Sequence, residues 1–471
     1  MGLAALLSAC GGGGGGSGST TADSRPSTTG GGTTTTSGCS LRERQDWAAA
    51  QLSEWYLFPE TLPTNLNPAA YSTVDDYIDA LTATARVQRR DRYFTYLTSI
   101  SGENAFYDSG SSAGFGFRLA TDATARTAIV TEAFEGTPAL AAGIDRGTRI
   151  LAIGTNSSTL RDVSDIIASS GTAGVTDALG DSVAGTSRTF RISDSAGTRL
   201  VTMAKADYDL APVSSRYGAR IITDGGRQIG YVNLRTFINT ADPALRTAFA
   251  QFRAAGVNDV VVDLRYNGGG LLSISELLAN LLGGNRARSD VIDYLTFRPE
   301  KSSQNSTTNF VVQPQSVSPT RIAFIGTAGT ASASELTINA FIPYLHANVA
   351  LIGSNTYGKP VGQIALDRTQ CDDRLRVIAF AVQNAAHSNA YFDGLASAVE
   401  ASCVAADDTS HAFGDPQEAS LRAALDFVEG KSCTRIASDQ VAPLALGAGG
   451  RLTALSPTRP SPAQREVPGL F

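Results

Sequence analysis

The sequence contains little lysine, histidine and tryptophan, and no cluster of positive charge. Its lysines are Lys205, Lys301, Lys359 and Lys431, beside three histidines and two tryptophans in 471 residues. The 44 acidic residues outnumber the 38 basic ones, which gives a formal charge of -6. Because no basic run is present to neutralise a phosphate backbone, nucleic acid is not expected as a partner. The scarcity of lysine also makes a lysine within a motif more informative.

Long apolar runs are also missing. No segment after the N-terminus approaches the roughly 18 continuous apolar residues of a membrane span. Hydrophobic residues make up 42% of the chain and charged residues 17%, a composition typical of globular proteins. At roughly 150 residues per domain, the length leaves room for about three domains. We therefore expect a soluble body with several domains.

The N-terminus carries a pattern typical of bacterial lipoproteins. A short apolar run at 3–7 leads into 7–10 (LSAC), which resembles a lipobox with Cys10 as the lipid-modified residue. The alternative is a buried apolar terminus, but the Gly/Ser/Thr-rich stretch up to Gly38 is unsuited to packing. The charged segment and longer apolar run of a signal peptide are absent, which leaves the true start open. We expect residues 1–38 to be a lipoprotein signal and linker that anchor the protein in the bacterial cell envelope, facing the periplasm.

Four further cysteines remain if Cys10 carries a lipid. They are Cys39, Cys371, Cys403 and Cys433, an even number that favours disulfides in an oxidising compartment and allows three pairings. We prefer Cys371 with Cys403, which flank one C-terminal segment, and Cys39 with Cys433, which lie just outside the two ends of the folded region. A zinc site is less favoured because no two cysteines have the short spacing that closes a metal chelate. Free buried cysteines are the remaining alternative.

The rest of the chain changes periodicity from region to region. Residues 39–108 show helical periodicity and predict a small N-terminal helical domain. Residues 109–210 change to short strands with glycine punctuation. Residues 211–433 alternate strands and helices, which predicts an α/β layer domain, and residues 434–471 form a C-terminal tail. The predicted fold class is therefore multidomain, α+β and α/β.

The glycine turns of the second region resemble those of the PDZ domain. The segments 136–139 (GTPA), 142–144 (AGI) and 146–151 (RGTRIL) follow one another as they do in that domain. Upstream, a Gly-Phe-Gly-Phe segment matches the loop whose backbone amides hold a peptide's C-terminal carboxylate, beside a strand that pairs with the peptide. The resemblance implies a β-rich peptide-binding domain with a binding loop at Gly114, Phe115, Gly116 and Phe117.

The segment most specific for chemistry is 330–336 (TASASEL), between an apolar strand and a helix. A serine on such a turn is exposed at the strand end, and the helix start that follows presents free backbone amides to a developing oxyanion. An acyl-transfer nucleophile needs this geometry. The alternative is that Ser332 or Ser334 only caps the helix, since serine is a leading N-cap residue.

A nucleophilic serine needs a base, and Lys359 is a better candidate than any histidine. None of the three histidines has a recognisable triad context. Lys359 stands in the glycine-flanked turn 357–363 (YGKPVGQ), shortly after an apolar strand. A lysine acts as a base only when it is neutral, which requires burial to depress its pKa, and Gln363 is spaced to orient the amine without adding charge. The alternative is a solvated surface lysine.

Three segments together resemble the C-terminal processing, or tail-specific, peptidases. They are 263–270 (DLRYNGGG), 332–335 (SASE) and 358–363 (GKPVGQ), in that family's order and downstream of a PDZ-like domain. The resemblance implies that the third region is an α/β protease domain of that type. It implies catalytic roles for Ser332 as nucleophile, Lys359 as general base and Gln363 as the residue that orients the lysine.

The resemblance also implies an oxyanion hole. It would combine the amide of Ala333 with that of Gly269 or Gly270, where the lack of a side chain lets the amide approach a substrate closely. Glu335 matches a family position and is a possible supporting residue. No metal or organic cofactor is implied.

The function that follows from the resemblance is that of a serine endopeptidase of the C-terminal processing type. It would hydrolyse peptide bonds in proteins recognised by their C-terminal tails. Its partners would be protein or peptide substrates with exposed C-termini, and the membrane through the lipid anchor. The alternative from another class is a non-catalytic envelope adaptor that captures protein tails on a degenerate protease scaffold. The presence of the nucleophile, the base and the glycine block argues against the adaptor.

Overall fold

A computed structural model describes residues 37–437, 444–446 and 450–471. The proposed lipobox and Cys10 lie outside these residues. Within the described part of the chain, no helix has the length and hydropathy to cross a bilayer.

The helices of the described residues alternate with strands through most of the chain. Side-chain caps fix several helix starts: Ser40 accepts a hydrogen bond from the Glu43 amide, and Thr73 accepts one from the Asp76 amide. The helices are α1 (Leu41–Trp55), α2 (Val74–Leu81), α3 (Ala83–Val87), α4 (Ile100–Ser109), α5 (Pro138–Ala141), α6 (Val163–Ser170), α7 (Ala173–Leu179), α8 (Ala241–Ala254), α9 (Leu272–Leu282), α10 (Ala333–Leu345), α11 (Ala419–Val428) and α12 (Pro462–Glu466).

The strands of the described residues form four sheets. In chain order they are β1 (Tyr96–Ser99), β2 (Ser111–Gly114), β3 (Phe117–Asp122), β4 (Thr127–Ala133), β5 (Arg149–Gly154), β6 (Arg161–Asp162), β7 (Ser187–Asp194), β8 (Gly197–Ala204), β9 (Ala206–Asp209), β10 (Ala219–Asp224), β11 (Arg227–Asn233), β12 (Asp259–Asp263), β13 (Val291–Phe297), β14 (Ser306–Asn309), β15 (Arg321–Gly326), β16 (Val349–Gly353), β17 (Val361–Arg368), β18 (Asp373–Gln383), β19 (Ala401–Val404), β20 (Leu444–Leu446) and β21 (Gly450–Ala454). The smallest sheet pairs β2 with β9.

A six-stranded sheet forms the centre of the third region, in the order β10, β11, β12, β15, β16, β19. All neighbours run parallel except β10, which is antiparallel to β11. The inner strands are almost wholly apolar because both faces of the sheet are covered. Helices α8, α9 and α10 pack on one face and α11 packs on the other.

The carboxyl ends of β12, β15 and β16 lie at one edge of this sheet. Asp263 at the end of β12 is in register with Ile325 of β15, and Gly326 is in register with Gly353 of β16. The loops that leave these ends carry the glycine block, the serine turn and the lysine turn. In open α/β sheets, ligands bind outside the carboxyl ends of the strands.

The second region forms an eight-stranded antiparallel sheet together with part of the predicted tail. Its order is β20, β21, β3, β4, β5, β7, β8, with β6 on β5. Strand β21 pairs with β3, so that Thr453 lies opposite Thr121. Helices α6 and α7 cover a core that contains Phe115, Phe117 and Phe190. The tail is therefore partly integrated into this sheet, and we call residues 109–210 the β-rich domain.

The third large sheet joins the N-terminal helices to the rest of the molecule. Strands β1, β18, β13 and β14 are neighbours in that order, and β17 also pairs with β18. Helices α1 and α2 pack on it through Leu52, Tyr77 and Ile78, against Leu375 and Val377 of β18. Residues 39–108 thus contribute one strand, β1, besides their helices.

The disulfide pairing preferred from the sequence is wrong. The structure has Cys39 bonded to Cys371 and Cys403 bonded to Cys433. Cys39 immediately precedes α1, which packs on β18, and Cys371 immediately precedes that strand. Cys403 lies in β19, and the chain after α11 returns beside it, since the amide of Val404 donates to the carbonyl of Thr434 (2.8 Å). Pairing followed the packing of neighbouring elements, which cysteine spacing does not reveal.

Candidate active site

Ser332 lies on a strained turn between β15 and α10. Its φ of 55° and ψ of -115° are unusual for a residue with a side chain, and such outliers cluster at functional sites. The residue is half-buried and occupies the N-cap position of α10. The sequence analysis treated a helix cap and a serine on a turn as alternatives. Ser332 is both, because it lies on the turn and occupies the N-cap position.

The glycine block lies against Ser332. A Cβ atom on Gly269 would lie 2.8 Å from Ser332 Cβ and 3.2 Å from the Ala333 amide nitrogen, and the φ of Gly269 is 122°. Only glycine fits this approach. Gly270 packs instead against the carbonyl of Phe237, 2.2 Å from where its Cβ would be. Of the two glycines predicted for the oxyanion hole, Gly269 is therefore the one beside Ser332 and Ala333.

Two amides of the glycine block, those of Gly268 and Gly269, already have acceptors. The Gly269 amide donates to Asn267 Oδ1 (3.0 Å). The Gly268 amide, which sequence reasoning did not single out, donates to the carbonyl of Glu466 (2.9 Å). A peptide carbonyl is therefore held at this loop, and it comes from the chain's own tail.

Lys359 is held by Gln363, the residue predicted to orient it. Its Nζ donates to Gln363 Oε1 (2.9 Å), and Gln363 Nε2 donates to the carbonyl of Phe94. The ammonium lies 5.0 Å from the centre of the Phe94 ring. Burial lowers the pKa of Lys359 from its ordinary value, which is the direction that a general base requires. Among the described residues, no hydrogen bond joins Lys359 Nζ to Ser332.

The carboxylate of Glu335 joins the serine turn to the lysine turn. It accepts hydrogen bonds from the amides of Ser332 (3.0 Å), Gly358 (2.6 Å) and Lys359 (2.7 Å), and from Thr356 Oγ1 (2.6 Å). Glu335 is fully buried. Burial raises its pKa, and these hydrogen bonds oppose that effect by favouring the charged carboxylate. The possible supporting residue of the sequence analysis thus holds the backbone of both candidate catalytic residues.

The histidines lie in other surroundings. His346 Nδ1 is 2.8 Å from Glu400, His387 stacks on Tyr294 with ring centres 4.1 Å apart, and His411 Nδ1 is 2.6 Å from Asp408. None forms a contact with Ser332 in the described structure. The geometry therefore favours Lys359 as the candidate base.

Sequence reasoning missed the segment 91–95, which folds over the lysine turn. Asp91 organises it by accepting hydrogen bonds from Tyr56 Oη (2.8 Å) and the Phe94 amide (2.8 Å). Arg92 donates to the carbonyls of Tyr357 (2.7 Å) and Gly358. No local pattern shows which loop this segment contacts, because that depends on the packing of the N-terminal helices.

The predicted peptide-binding loop contacts the chain's own last residue. The amides of Gly116 and Phe117 donate to the carbonyl oxygen of Phe471 (2.9 and 3.3 Å). A Cβ on Gly114 would lie 2.7 Å from the Phe471 carbonyl carbon, so glycine permits this approach. The side chains of Phe115 and Phe117 point into the core, where their rings stack 5.7 Å apart.

Most of the third region matches a protein-family model. Residues 228–394 match the model of the family described as peptidase family S41. This match includes the glycine block, Ser332, Glu335, Lys359 and Gln363.

Relatives in other organisms are named for C-terminal processing. The chain is 27% identical over 269 residues to the chloroplastic C-terminal processing peptidase of Tetradesmus obliquus, covering 55% of this chain and 54% of that protein. It is 24% identical over 309 residues to the carboxyl-terminal-processing protease of Picosynechococcus sp., covering 65% of this chain and 67% of that protein. The chain spans about half the length of the first of these curated relatives.

A solved structure has a similar fold. A Bacteroides fragilis protein assigned to the S41 proteases superposes with a TM-score of 0.60 at 22% identity, covering 82% of this chain and 97% of that one. The likeness shows a shared fold over most of both chains.

Proposed function

Because residues 228–394 match peptidase family S41, we propose that the chain is a serine endopeptidase of the C-terminal processing type. The observation that carries the proposal is the geometry around Glu335. One buried carboxylate holds the backbone of Ser332 and of Lys359, while Gln363 holds the lysine amine. Candidate nucleophile and candidate base are thus fixed to one another through two turns at one sheet edge.

The proposed reaction begins with the transfer of the Ser332 hydroxyl proton to neutral Lys359 Nζ. The serine oxygen attacks the substrate carbonyl carbon, and the oxyanion accepts hydrogen bonds from the Ala333 amide and from a glycine-block amide that is released from its present acceptor. The lysine then returns the proton to the departing amine, which leaves an acyl-enzyme. Water hydrolyses that ester with Lys359 again as base, and Ser332 is restored.

Substrate capture is proposed for the β-rich domain, acting as a PDZ-like domain. The support is that the amides of Gly116 and Phe117 converge on a single carbonyl oxygen beside the edge of β3, an arrangement suited to strand addition by a peptide tail. Substrates would be proteins or peptides with exposed C-termini.

Anchoring at Cys10 in the cell envelope is part of the proposal. Its support is the lipobox-like segment together with the two disulfides of the described residues. Disulfides form and persist in oxidising compartments such as the periplasm. Labelling with radioactive palmitate, lost in a Cys10→Ser variant, tests the anchor.

The proposed catalytic pair of Ser332 and Lys359, called the dyad, is tested with casein and with a peptide that ends in an apolar tail. Ser332→Ala and Lys359→Ala should each lower kcat by about 10³-fold or more, since each removes a member of the same catalytic unit. Lys431→Ala, at an exposed lysine, is the matched control and should leave kcat unchanged. Full activity in either dyad variant would refute the assignment. An inert wild type that still binds peptides would favour the adaptor.

The pH dependence gives a second readout of the same base. Only the neutral amine accepts the serine proton, so kcat/KM should rise as pH increases through the pKa of Lys359. Because burial lowers that pKa, the rise should be centred below the 10.5 of an ordinary lysine. A pH profile that reaches its plateau only above pH 10.5 would contradict a depressed lysine.

A further inference from the structure

Within the segment 466–471, residues 469–471 pair with β3 in the manner of an added strand. The Phe471 amide donates to the carbonyl of Phe117 (3.0 Å), whose own amide and that of Gly116 donate back to Phe471. Farther along, the Leu119 amide donates to the carbonyl of Gly469 (2.8 Å). This is the hydrogen-bond pattern by which a peptide augments the edge of a sheet. We call the surface beside β3 and residues 114–117 the groove. This site, proposed for substrate tails, is occupied by the chain itself.

Buried apolar side chains hold this segment in place. Phe471 is 2% exposed and belongs to the core of the β-rich domain, with Phe115 and Phe117. Leu470 and Val467 are buried in a second cluster with Phe106 of α4 and Phe134. An aromatic side chain buries about 150–250 Å², so Phe471 is the main apolar anchor in the groove.

The start of the segment reaches the candidate catalytic site. The carbonyl of Glu466 accepts the hydrogen bond from Gly268, and Pro468 Cβ lies 3.8 Å from where a Cβ on Gly329 would be. Gly268 precedes the glycine beside Ser332, and Gly329 lies three residues before Ser332. The segment therefore passes over both loops that flank the nucleophile.

The charge of Glu466 acts on the candidate base. Its carboxylate accepts a hydrogen bond from Tyr107 Oη (2.9 Å). Burial lowers the pKa of Lys359, and the negative charge of Glu466 raises it. The other groups acting on Lys359 are Asp91, which also raises its pKa, and Arg376 and Arg465, which lower it. Glu466 thus favours the protonated lysine, which cannot accept the serine proton.

The docked segment is not presented as a substrate. Residues 462–466 form the helical turn α12, in which the Val467 amide donates to the carbonyl of Ala463 (2.9 Å). Protonation of the leaving nitrogen requires access by the lysine, and this nitrogen faces its own helical turn. The peptide bond between Glu466 and Val467 therefore lies at the glycine block without the extended geometry of a bond about to be cut.

Contacts upstream fasten the segment to the N-terminal helices. Arg465 stacks on Tyr96 of β1, with its guanidinium carbon 3.5 Å from the ring centre. Arg459 lies 2.6 Å from Asp76 and 3.2 Å from Asp79 of α2. The stretch that leads into the segment is thus fixed to β1 and α2 of the N-terminal region.

We propose that the segment 466–471 is a resident ligand of its own enzyme, filling the β3 groove and lying across the catalytic loops until a substrate tail displaces it. The groove would accordingly prefer tails that carry an apolar residue followed by an aromatic one, as at Leu470–Phe471. The binding part stands on the contacts above, and only the effect on activity rests on the proposed function.

Binding is measured with a fluorescein-labelled peptide, Glu-Val-Pro-Gly-Leu-Phe with a free carboxylate, in the Ser332→Ala background so that nothing is cut. An intramolecular ligand acts at an effective concentration on the order of millimolar. Adding Phe471→Asp, which places a charge in the apolar pocket, should therefore tighten peptide binding at least tenfold by fluorescence anisotropy. Thr458→Ala, at an exposed tail residue outside the groove, is the matched control. Equal affinity in Phe471→Asp and the control would overturn the proposal.

A second measurement needs no substitution in the tail. In the Ser332→Ala chain, saturating unlabelled peptide should speed hydrogen exchange of the Phe471 amide, because the hydrogen bond to Phe117 is lost on displacement. Unchanged exchange at saturation would mean that the peptide binds elsewhere, and would overturn the proposal even if Phe471→Asp folds poorly.

Activity separates the two proposals. With Ser332 intact, Phe471→Asp should raise kcat/KM on a tailed peptide at least several-fold over Thr458→Ala. Glu466→Gln should move the rising limb of the pH profile to lower pH. If every variant is inert while peptide binding tightens as expected, the peptidase proposal fails and the resident ligand stands. Activity in the wild type that neither substitution changes would overturn the inhibitory role of the tail.

Discussion

At the scale of single residues, Glu335 has the most concentrated role in the site. Four donors converge on its two oxygens, three of them backbone amides of the serine and lysine turns. A buried carboxylate is retained at a cost in desolvation, and here it organises two loops that no other described side chain connects in this way. It contacts neither a reacting atom nor the lysine amine, so we regard it as a positioning residue.

Replacing Glu335 by glutamine tests this role. The amide keeps the shape of the carboxylate, but its nitrogen cannot accept hydrogen bonds, so at least one donor pair is left without an acceptor. Each buried unsatisfied group costs about 1–3 kcal/mol, and displaced catalytic turns should lower kcat about 10- to 100-fold with little change in KM. Urea unfolding and kinetics on the tailed peptide measure the two effects.

Glu54→Gln is the control for this substitution. Glu54 is an exposed carboxylate paired with Lys301, and such pairs contribute about 0–1 kcal/mol. A Glu335→Gln enzyme with the stability and kcat of the control would show that the four hydrogen bonds do not position the site.

At the scale of elements, the two disulfides tie together segments that secondary structure alone leaves apart. Cys403–Cys433 holds the edge strand β19 to the chain that follows α11, and closes a short loop with a separation of 30 residues. Cys39–Cys371 holds the start of α1 to the loop before β18, at a separation of 332 residues. The second bond thus constrains a much longer stretch of the unfolded chain.

Removal of each bond should destabilise the protein in proportion to that constraint. On the loop-entropy account, Cys403→Ser with Cys433→Ser should cost about 3.6 kcal/mol. Cys39→Ser with Cys371→Ser should cost about 2 kcal/mol more, because the closed loop is longer. Urea titrations of the two double variants give the order, and peptide mapping of the oxidised protein gives the pairing. A mapped Cys371–Cys403 bond, or the reverse order of stability, would contradict the arrangement.

At the scale of the whole molecule, a buried ionic cluster joins the β-rich domain to the six-stranded sheet. Arg235, after β11, donates to Glu132 of β4 (2.7 Å) and to Glu135 (2.9 Å). Arg118 of β3 donates to the other oxygen of Glu132 (2.9 Å), and Tyr217 donates to Glu132 as well (2.6 Å). Arg118 also donates to the carbonyl of Tyr266, next to the glycine block. The groove strand and the catalytic loop therefore share one rigid connection.

Arg235→Met tests how firmly this cluster fixes the two parts. Removing one member leaves Glu132 and Glu135 with less compensation in a buried setting, which typically costs about 3–5 kcal/mol. The matched control is Arg216→Met, which breaks a half-exposed ion pair with Asp145 near the same junction and should cost at most about 1 kcal/mol. Thermal unfolding of both variants measures the two losses of stability. Equal losses would show that the cluster contributes no more than a surface pair.

Much of the site could be predicted from the sequence because its parts are local. The strand ends, the glycine block, the serine turn and the spacing of Lys359 to Gln363 are each set by a few consecutive residues, and glycine is required where Gly269 approaches Ser332. The alternation of strands and helices similarly predicts an α/β region with these loops at the strand ends.

Only the tertiary structure decided the contacts between residues far apart in the chain. It placed Gly269, rather than Gly270, beside Ser332. It also gave Glu335 its four donors, paired the cysteines differently from the pairing preferred from the sequence, and placed Phe471 in the groove beside Phe117. These outcomes depend on which elements pack together, and packing is determined by burial over the whole molecule rather than by any local pattern. The tail contains no motif that predicts its position. Its place across the site follows from its hydrogen bonds to β3, which only the folded structure shows.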